Sequence, residues 1–216
     1  SSIAEGVVVN GTSDVYGYIS AVGATSFTIE HGSTGGQTNE SGQTYAGWHW
    51  KAGGAAATKA AGNIDGTNPT IASSVSANTT SGFSIVSYTG NGTDSATVEH
   101  GLSAKPELVI VKNLDSSAAW IVGSQYLTSS SYVIVLNGIG AEYSSANKFS
   151  EDAPTASVVV LGDADETNKL NEDFIAYCFH SVPGYSKVGK YYTNNNADNV
   201  FVYTGFKPAW VMVKNL

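Results

Sequence analysis

The sequence predicts an all-β chain of tandem β-sandwich-like modules, with short antiparallel strands joined by Gly-, Asn- and Ser-rich turns. Three observations predict it. Short runs rich in Val, Ile, Tyr, Phe and Trp alternate with clusters of Gly, Asn, Ser and Asp along the whole chain, the pattern of a sandwich or barrel. Helix signals are poor: the one Ala-rich stretch, Ala55–Ala61, is bracketed by Gly53-Gly54 and Gly62 and is too short to hold a helix unaided. Finally, the chain repeats itself, which points to an array of like units.

In chain order the predicted strands begin with Val7–Val9, which closes on Asn10-Gly11. Ser26–Glu30 ends before the turn at His31-Gly32. Tyr45–Lys51 places Trp48 and Trp50 on one side, facing a core. Phe83–Tyr88 follows Gly82, and Ala96–Glu99 ends at His100-Gly101. Leu108–Lys112 follows Lys105-Pro106, Tyr132–Leu136 runs into Asn137-Gly138, and Val158–Leu161 is wholly apolar. Phe174–His180 sets Tyr177 and Phe179 where Trp48 and Trp50 stand. Val200–Tyr203 and Trp210–Lys214 complete the set.

The repeat is carried by three pairs of segments. Gly82-Phe-Ser-Ile-Val86 matches Gly184-Tyr-Ser-Lys-Val188, and Leu108-Val-Ile-Val-Lys-Asn-Leu114 matches Trp210-Val-Met-Val-Lys-Asn-Leu216, both at an offset of 102 (184 − 82 and 210 − 108). Tyr45-Ala-Gly-Trp-His-Trp-Lys51 matches Phe174-Ile-Ala-Tyr-Cys-Phe-His180 at an offset of 129 (174 − 45). The difference, 27, is the length of Gly54–Thr80, which has no counterpart in the second copy. That insertion, with its Asn, Gly, Pro and Ser, reads as an extended connection. The expected organisation is therefore residues 1–53 as the β-rich part of a first module, 54–80 as an insertion or linker, 81–182 as a central β-sandwich-like module, and 183–216 as the truncated start of a further one. A start at Ser1 and a stop directly after a strand-like run read as part of a longer polypeptide.

Composition excludes whole classes of function. All 10 basic residues are Lys, against 18 acids, for a net charge of −8. Without the guanidinium fork and with an overall charge that repels phosphates, nucleic-acid binding is excluded. Apolar runs are too short to cross a bilayer, so no membrane insertion is expected. The single cysteine, Cys178, forms no internal disulfide and, set between Tyr177 and Phe179, reads as buried and inert.

No motif assembles catalysis. Glu30-His31 and Glu99-His100 resemble acid/base pairs, but neighbours on a regular strand point to opposite faces. The acidic loop Asp163–Asp173 supplies oxygen ligands suited to calcium, yet it lacks EF-hand spacing. Its counterpart, Ser33–Gln43, contains no Asp, so a solvated loop is the reading, with no cofactor expected. The ligand-binding candidates are Tyr191, Tyr192, Asn194, Asn195 and Asn196, because Tyr beside adaptable hydrogen-bonding residues gives contact area at low entropic cost.

The segments Tyr45–Gly54, Val75–Gly92, His100-Gly-Leu102, Val109–Asn113, Phe174–Val188 and Thr204–Lys214 resemble the repeated modules of large virion surface proteins in marine tailed bacteriophages. The resemblance covers most of the chain from Phe27 onward, in motif order. It implies a structural virion component of tail-fibre or surface-decoration type, exposed on the particle and partnered by other virion proteins or copies of itself as a homo-oligomer. Attachment to a host cell-surface glycan or protein is a further implication, and no catalytic residues carry over. A secreted adhesin or carbohydrate-binding module and a virion glycan depolymerase are the alternatives.

Overall fold

The computed structural model describes residues 18–23, 25–31, 39–45, 47, 49–62, 69–194 and 200–216. The chain divides into two compact units, Ser1–Trp50 and Lys51–Leu216. In the first, β1 (Tyr18–Val22) and β2 (Phe27–Glu30) form an antiparallel hairpin with an irregularity in register between Ile19 and Ala21. The Ser20 hydroxyl donates to the Glu30 carboxylate across it at 3.0 Å.

The second unit is built on one eight-stranded antiparallel sheet. Its strands are β3 (Ala57–Lys59), β4 (Ser73–Asn78), β5 (Phe83–Thr89), β7 (Leu108–Asn113), β8 (Ile121–Ser124), β9 (Tyr132–Val135), β10 (Tyr143–Ser144) and β12 (Asp173–Phe179). Their spatial order is β10-β9-β8-β7-β12-β5-β4-β3. A two-stranded sheet of β6 (Ala96–Glu99) and β11 (Val158–Leu161) covers one face, and a short helix, α1 (Asp165–Asn168), precedes β12. The sequence expectation of an all-β, sandwich-like fold holds.

Period-2 side-chain alternation builds both faces of the large sheet. One row crosses six strands through Val75, Val86, Ala176, Val111, Ile121 and Val135, in register pair by pair. All six belong to the principal core or pack against it, together with Val98, Val159 and Leu161 of the covering sheet. The next row carries Ile85, Tyr177, Ile110, Val122 and Ile134 on the opposite face. There Ile110, Val122, Leu127 and Ile134 form a second cluster, flanked by Trp120, Tyr177, Phe179 and Leu216. A strand apolar on both sides is what a central position with both faces covered demands, and β12 reads Asp-Phe-Ile-Ala-Tyr-Cys-Phe.

Several expectations are corrected. The described residues of the expected insertion, 54–80, include β3 and β4, which join the large sheet, and β4 pairs with β5 along its whole length. Ser, Ala and Asn mask the alternation there, although Ile71, Ser73 and Val75 are buried. Tyr177 and Phe179 do pack on a core cluster, the second one, while Phe174, Ala176 and Cys178 enter the principal core on the other face. Of predicted Tyr45–Lys51, the described residues lie outside the strands, and Trp50 is 44% exposed; Trp48 lies outside the described residues. Val200–Tyr203 and Trp210–Lys214 also lie outside the strands, with Phe201 86% exposed. Short apolar runs need a ladder on at least one side to hold a strand. Val7–Val9 lies outside the described residues.

The loop leading into β12 is held by two buried amides. Asn168 donates to the carbonyls of Gly162 and Thr93, both at 2.9 Å, and to Asn91 Oδ1 at 3.1 Å, and its own Oδ1 accepts from Asn91 N at 2.9 Å. Asn113 donates to the Asp165 carbonyl at 2.9 Å and to Glu172 Oε2 at 2.6 Å, and accepts from the amides of Asp115 and Ser116. Both are fully buried. Replacing Asn168 by Ala strands several buried partners, each of which costs about 1–3 kcal/mol when left unsatisfied. Urea denaturation of Asn168→Ala is expected to show a loss of about 3 kcal/mol.

Candidate functional site

The predicted ligand residues lie on the chain that follows β12. This segment leaves the sheet through an anchored turn. The Ser181 amide donates to Glu107 Oε2 at 2.6 Å, the Ser181 hydroxyl bonds the same oxygen, and Val188 N donates to Ser181 Oγ at 2.9 Å. Glu107 also accepts from Gln125 Nε2 at 3.0 Å and from the Tyr126 hydroxyl at 3.2 Å. A bridge between Val182 and Ser186 closes the turn, with Gly184 at φ +77°, where a side chain would be strained.

Beyond the turn, Tyr191, Tyr192 and Asn194 are exposed and lie outside helices and strands. The Lys190 ammonium sits 5.6 Å from the Tyr192 ring centroid, within cation–π range. Asn195 and Asn196 lie outside the described residues. What the ligand reading missed is how far the apolar exposure extends: Tyr185, Val202, Tyr203, Val211, Met212 and Val213 are exposed as well as Phe201. The segment returns to the sheet at its end, where Leu216 packs on the second cluster and Lys214 Nζ donates to the Gly138 carbonyl.

Of the two acid/base candidates, Glu30 accepts from the Ser20 hydroxyl at 3.0 Å and His31 is exposed, whereas Glu99 and His100 are buried. Glu99 is buried and its Oε1 meets Lys59 Nζ at 2.6 Å. His100 is fully buried; the Leu102 amide donates to its Nδ1 at 3.1 Å, so Nε2 carries the proton and faces the Thr155 carbonyl at 3.3 Å. Burial pushes this imidazole down to about 4, against the smaller upward pull of the Thr155 carbonyl and the Glu99 charge. It is a neutral structural group. Burial likewise pushes the Cys178 thiol up to about 12, as an inert core position requires.

Nor is the acidic loop simply solvated. Thr167 and Asn168 are fully buried, and the Tyr88 hydroxyl donates to the Thr167 carbonyl at 2.6 Å. Glu166 meets Lys148 Nζ at 2.5 Å; burial pulls its carboxyl upward, but the Lys148 ammonium holds it below the usual range. Glu172 meets Lys169 at 2.6 Å. These carboxylates are spent on the fold, and among the described residues no three His, Cys, Asp or Glu converge as a metal site. An open cleft of about 460 Å³ is lined by Asp94, Ser95, Asn147, Ser150, Glu151, Asp152 and Asp163. Its four acids are exposed.

Fold and surface together define an all-β, sandwich-like protein with exposed aromatic residues along the segment that follows β12. The chain belongs to the family described as a domain of unknown function, DUF7483, whose model matches residues 6–216. No curated protein and no solved structure matches it.

The neutral His100 gives stability a defined pH dependence. Its folded value of about 4 lies below the ordinary value near 6.5, so its contribution is complete above pH 6.5 and is lost as pH falls through that window. The loss amounts to about 3 kcal/mol. Urea midpoints measured from pH 7 to pH 4.5 are expected to fall for the native chain and to fall less steeply for His100→Gln. Parallel slopes in the two proteins would show that His100 is not the titrating group.

Proposed function

We propose that this chain is a structural component of a tailed-bacteriophage virion surface, of fibre or decoration type, contributing to host attachment and carrying no catalysis. The resemblance of its repeated segments supports the virion role. The observation that carries the attachment role is the exposed Tyr191, Tyr192 and Asn194, presented by a turn tied to a rigid sheet through Glu107 and Ser181. Exposed aromatic rings with adjacent amide groups give area and hydrogen bonds without ordering long side chains. Other virion proteins or further copies of the chain are its proposed partners, at the particle surface.

A second reading, a carbohydrate-binding module or adhesin outside a virion, is favoured by the same Tyr192 and its Lys190 neighbour, since a flat ring beside hydrogen-bonding groups also suits a sugar face.

Two measurements separate these readings. Antibodies against the chain are expected to label the surface of phage particles in electron micrographs; unlabelled particles alongside secreted antigen would favour the second reading. On a glycan array, the Tyr191→Ala/Tyr192→Ala double variant is expected to lose at least about tenfold in binding, equivalent to about 1.4 kcal/mol, with an unchanged unfolding midpoint. Undiminished binding by the double variant would remove the tyrosines from the attachment surface.

A further inference from the structure

Charge is distributed unevenly along the chain, and its basic part coincides with the exposed tyrosines. Residues 181–216 carry four Lys against one acid, Asp198, whereas residues 1–180 carry six Lys against 17 acids. Among the described residues, Lys59, Lys148 and Lys169 are paired with carboxylates, while Lys187, Lys190 and Lys207 are exposed and have no carboxylate within ion-pair distance. An acid-rich chain thus keeps a set of ammonium groups open to an outside anion.

Two of these lysines stand beside the aromatic surface. Lys190 Nζ lies 5.6 Å from the Tyr192 ring centroid, so one ammonium and one ring are presented together. Lys187 precedes Lys190 by three residues, a span of at most about 11 Å, which lets both ammonium groups reach one linear polymer. Between them Gly189 borders open space: a Cβ there would meet nothing within 4 Å. The stretch is fixed where it begins, because Val188 N donates to Ser181 Oγ at 2.9 Å. The Glu107 carboxylate of that network already accepts from Ser181, Gln125 and Tyr126.

We infer that the ligand of this surface is an acidic polysaccharide, with a sugar face laid on the tyrosines and uronate carboxylates met by Lys190 and Lys187. The inference rests on the attachment reading of Tyr191 and Tyr192 and adds the chemical class of the ligand. Any pyranose offers C–H faces to a ring and hydroxyls to polar neighbours; the carboxylate is what the lysines select. A hydrogen bond between ammonium and carboxylate is charge-assisted and roughly twice as strong as a neutral one. Bidentate recognition of phosphate draws instead on the Arg fork, and the chain has no Arg. The net charge of −8 does not oppose the contact. Screening limits an exposed charge to about 8 Å at physiological salt, so the groups beside the ligand govern.

Affinity electrophoresis of the full chain through gels containing polygalacturonate, alginate or hyaluronate tests it, with fully methyl-esterified polygalacturonate as the uncharged polymer of the same backbone. At least one of the three uronate polymers is expected to retard the chain, with an affinity about tenfold above that for the ester. Retardation is expected to fade as salt rises from about 50 to about 300 mM. The Lys187→Gln/Lys190→Gln double variant is expected to lose about tenfold in affinity for the uronate polymer, with an unchanged unfolding midpoint. No retardation by any of the three, equal affinity for the ester, or an unaffected lysine variant overturns the inference. Equal affinity for duplex DNA also overturns it, as adhesion to any polyanion. Binding to the ester that Tyr191→Ala/Tyr192→Ala abolishes overturns the acidic ligand and leaves the attachment reading standing. Uronate binding untouched by that tyrosine variant overturns both.

Discussion

The fold depends on one delivery: Asp173–Phe179 must reach a slot between two strands formed far earlier in the chain. Without it the large sheet falls into two parts, β3-β4-β5 and β7-β8-β9-β10, each with an open apolar edge. The entry to the slot is correspondingly well tied. Gly90 N donates to the Glu172 carbonyl and Leu114 N to the Asp173 carbonyl, both at 2.8 Å, while Asp115 Oδ2 accepts from Asp173 N at 2.6 Å. Asn168 and Asn113 join the incoming loop to the ends of β5 and β7. Buried amides are costly unless every group is matched, so a one-residue slip of β12 would break several bonds at once and exchange its two faces. Gly90 leaves no room for error: a Cβ there would lie 2.2 Å from the Lys169 carbonyl oxygen.

Closing the sheet does not finish the fold, because both faces are apolar. β6 and β11 cover one face, and their contribution is fixed by Glu99, whose ion pair with Lys59 reaches β3 at the sheet's edge. A three-residue edge strand carrying a lysine is a poor template for further pairing. On the other face Trp120 stacks on Tyr177 at 6.3 Å and Leu216 lies against the same cluster. Residues 54–80 therefore terminate the sheet, and the C-terminal segment reaches the second face.

The sequence made the class of fold and most of the central strands legible, because β5, β7, β11 and β12 are dense in β-branched and aromatic residues with clear turns at their ends. It hid β4, where Ser and Asn occupy half-buried positions and alternation is visible only in Ile71, Val75 and Ala77. It placed Tyr177 and Phe179 against a core, where they pack on the second cluster, and Cys178 in the interior; it did not show that the principal core lies on the Ala176 and Cys178 side, because small residues there leave room for the covering strands. At the candidate site, composition pointed to Tyr191 and Tyr192 but gave no hint that the flanking strand-like runs stay exposed. That outcome follows from partner availability, which a local pattern does not encode.

The same reasoning explains how one sequence can hold two versions of a strand without confusing them. In its own slot Cys178 lies opposite Ser84 and Val109, fully buried on the principal core. The repeat places His49 at that position in the earlier version. An imidazole there would add volume to a filled core and bring a polar ring among aliphatic groups, so the earlier segment is disfavoured in the β5–β7 slot. Discrimination thus rests on what the closed slot rejects, a usual basis of specificity between similar segments.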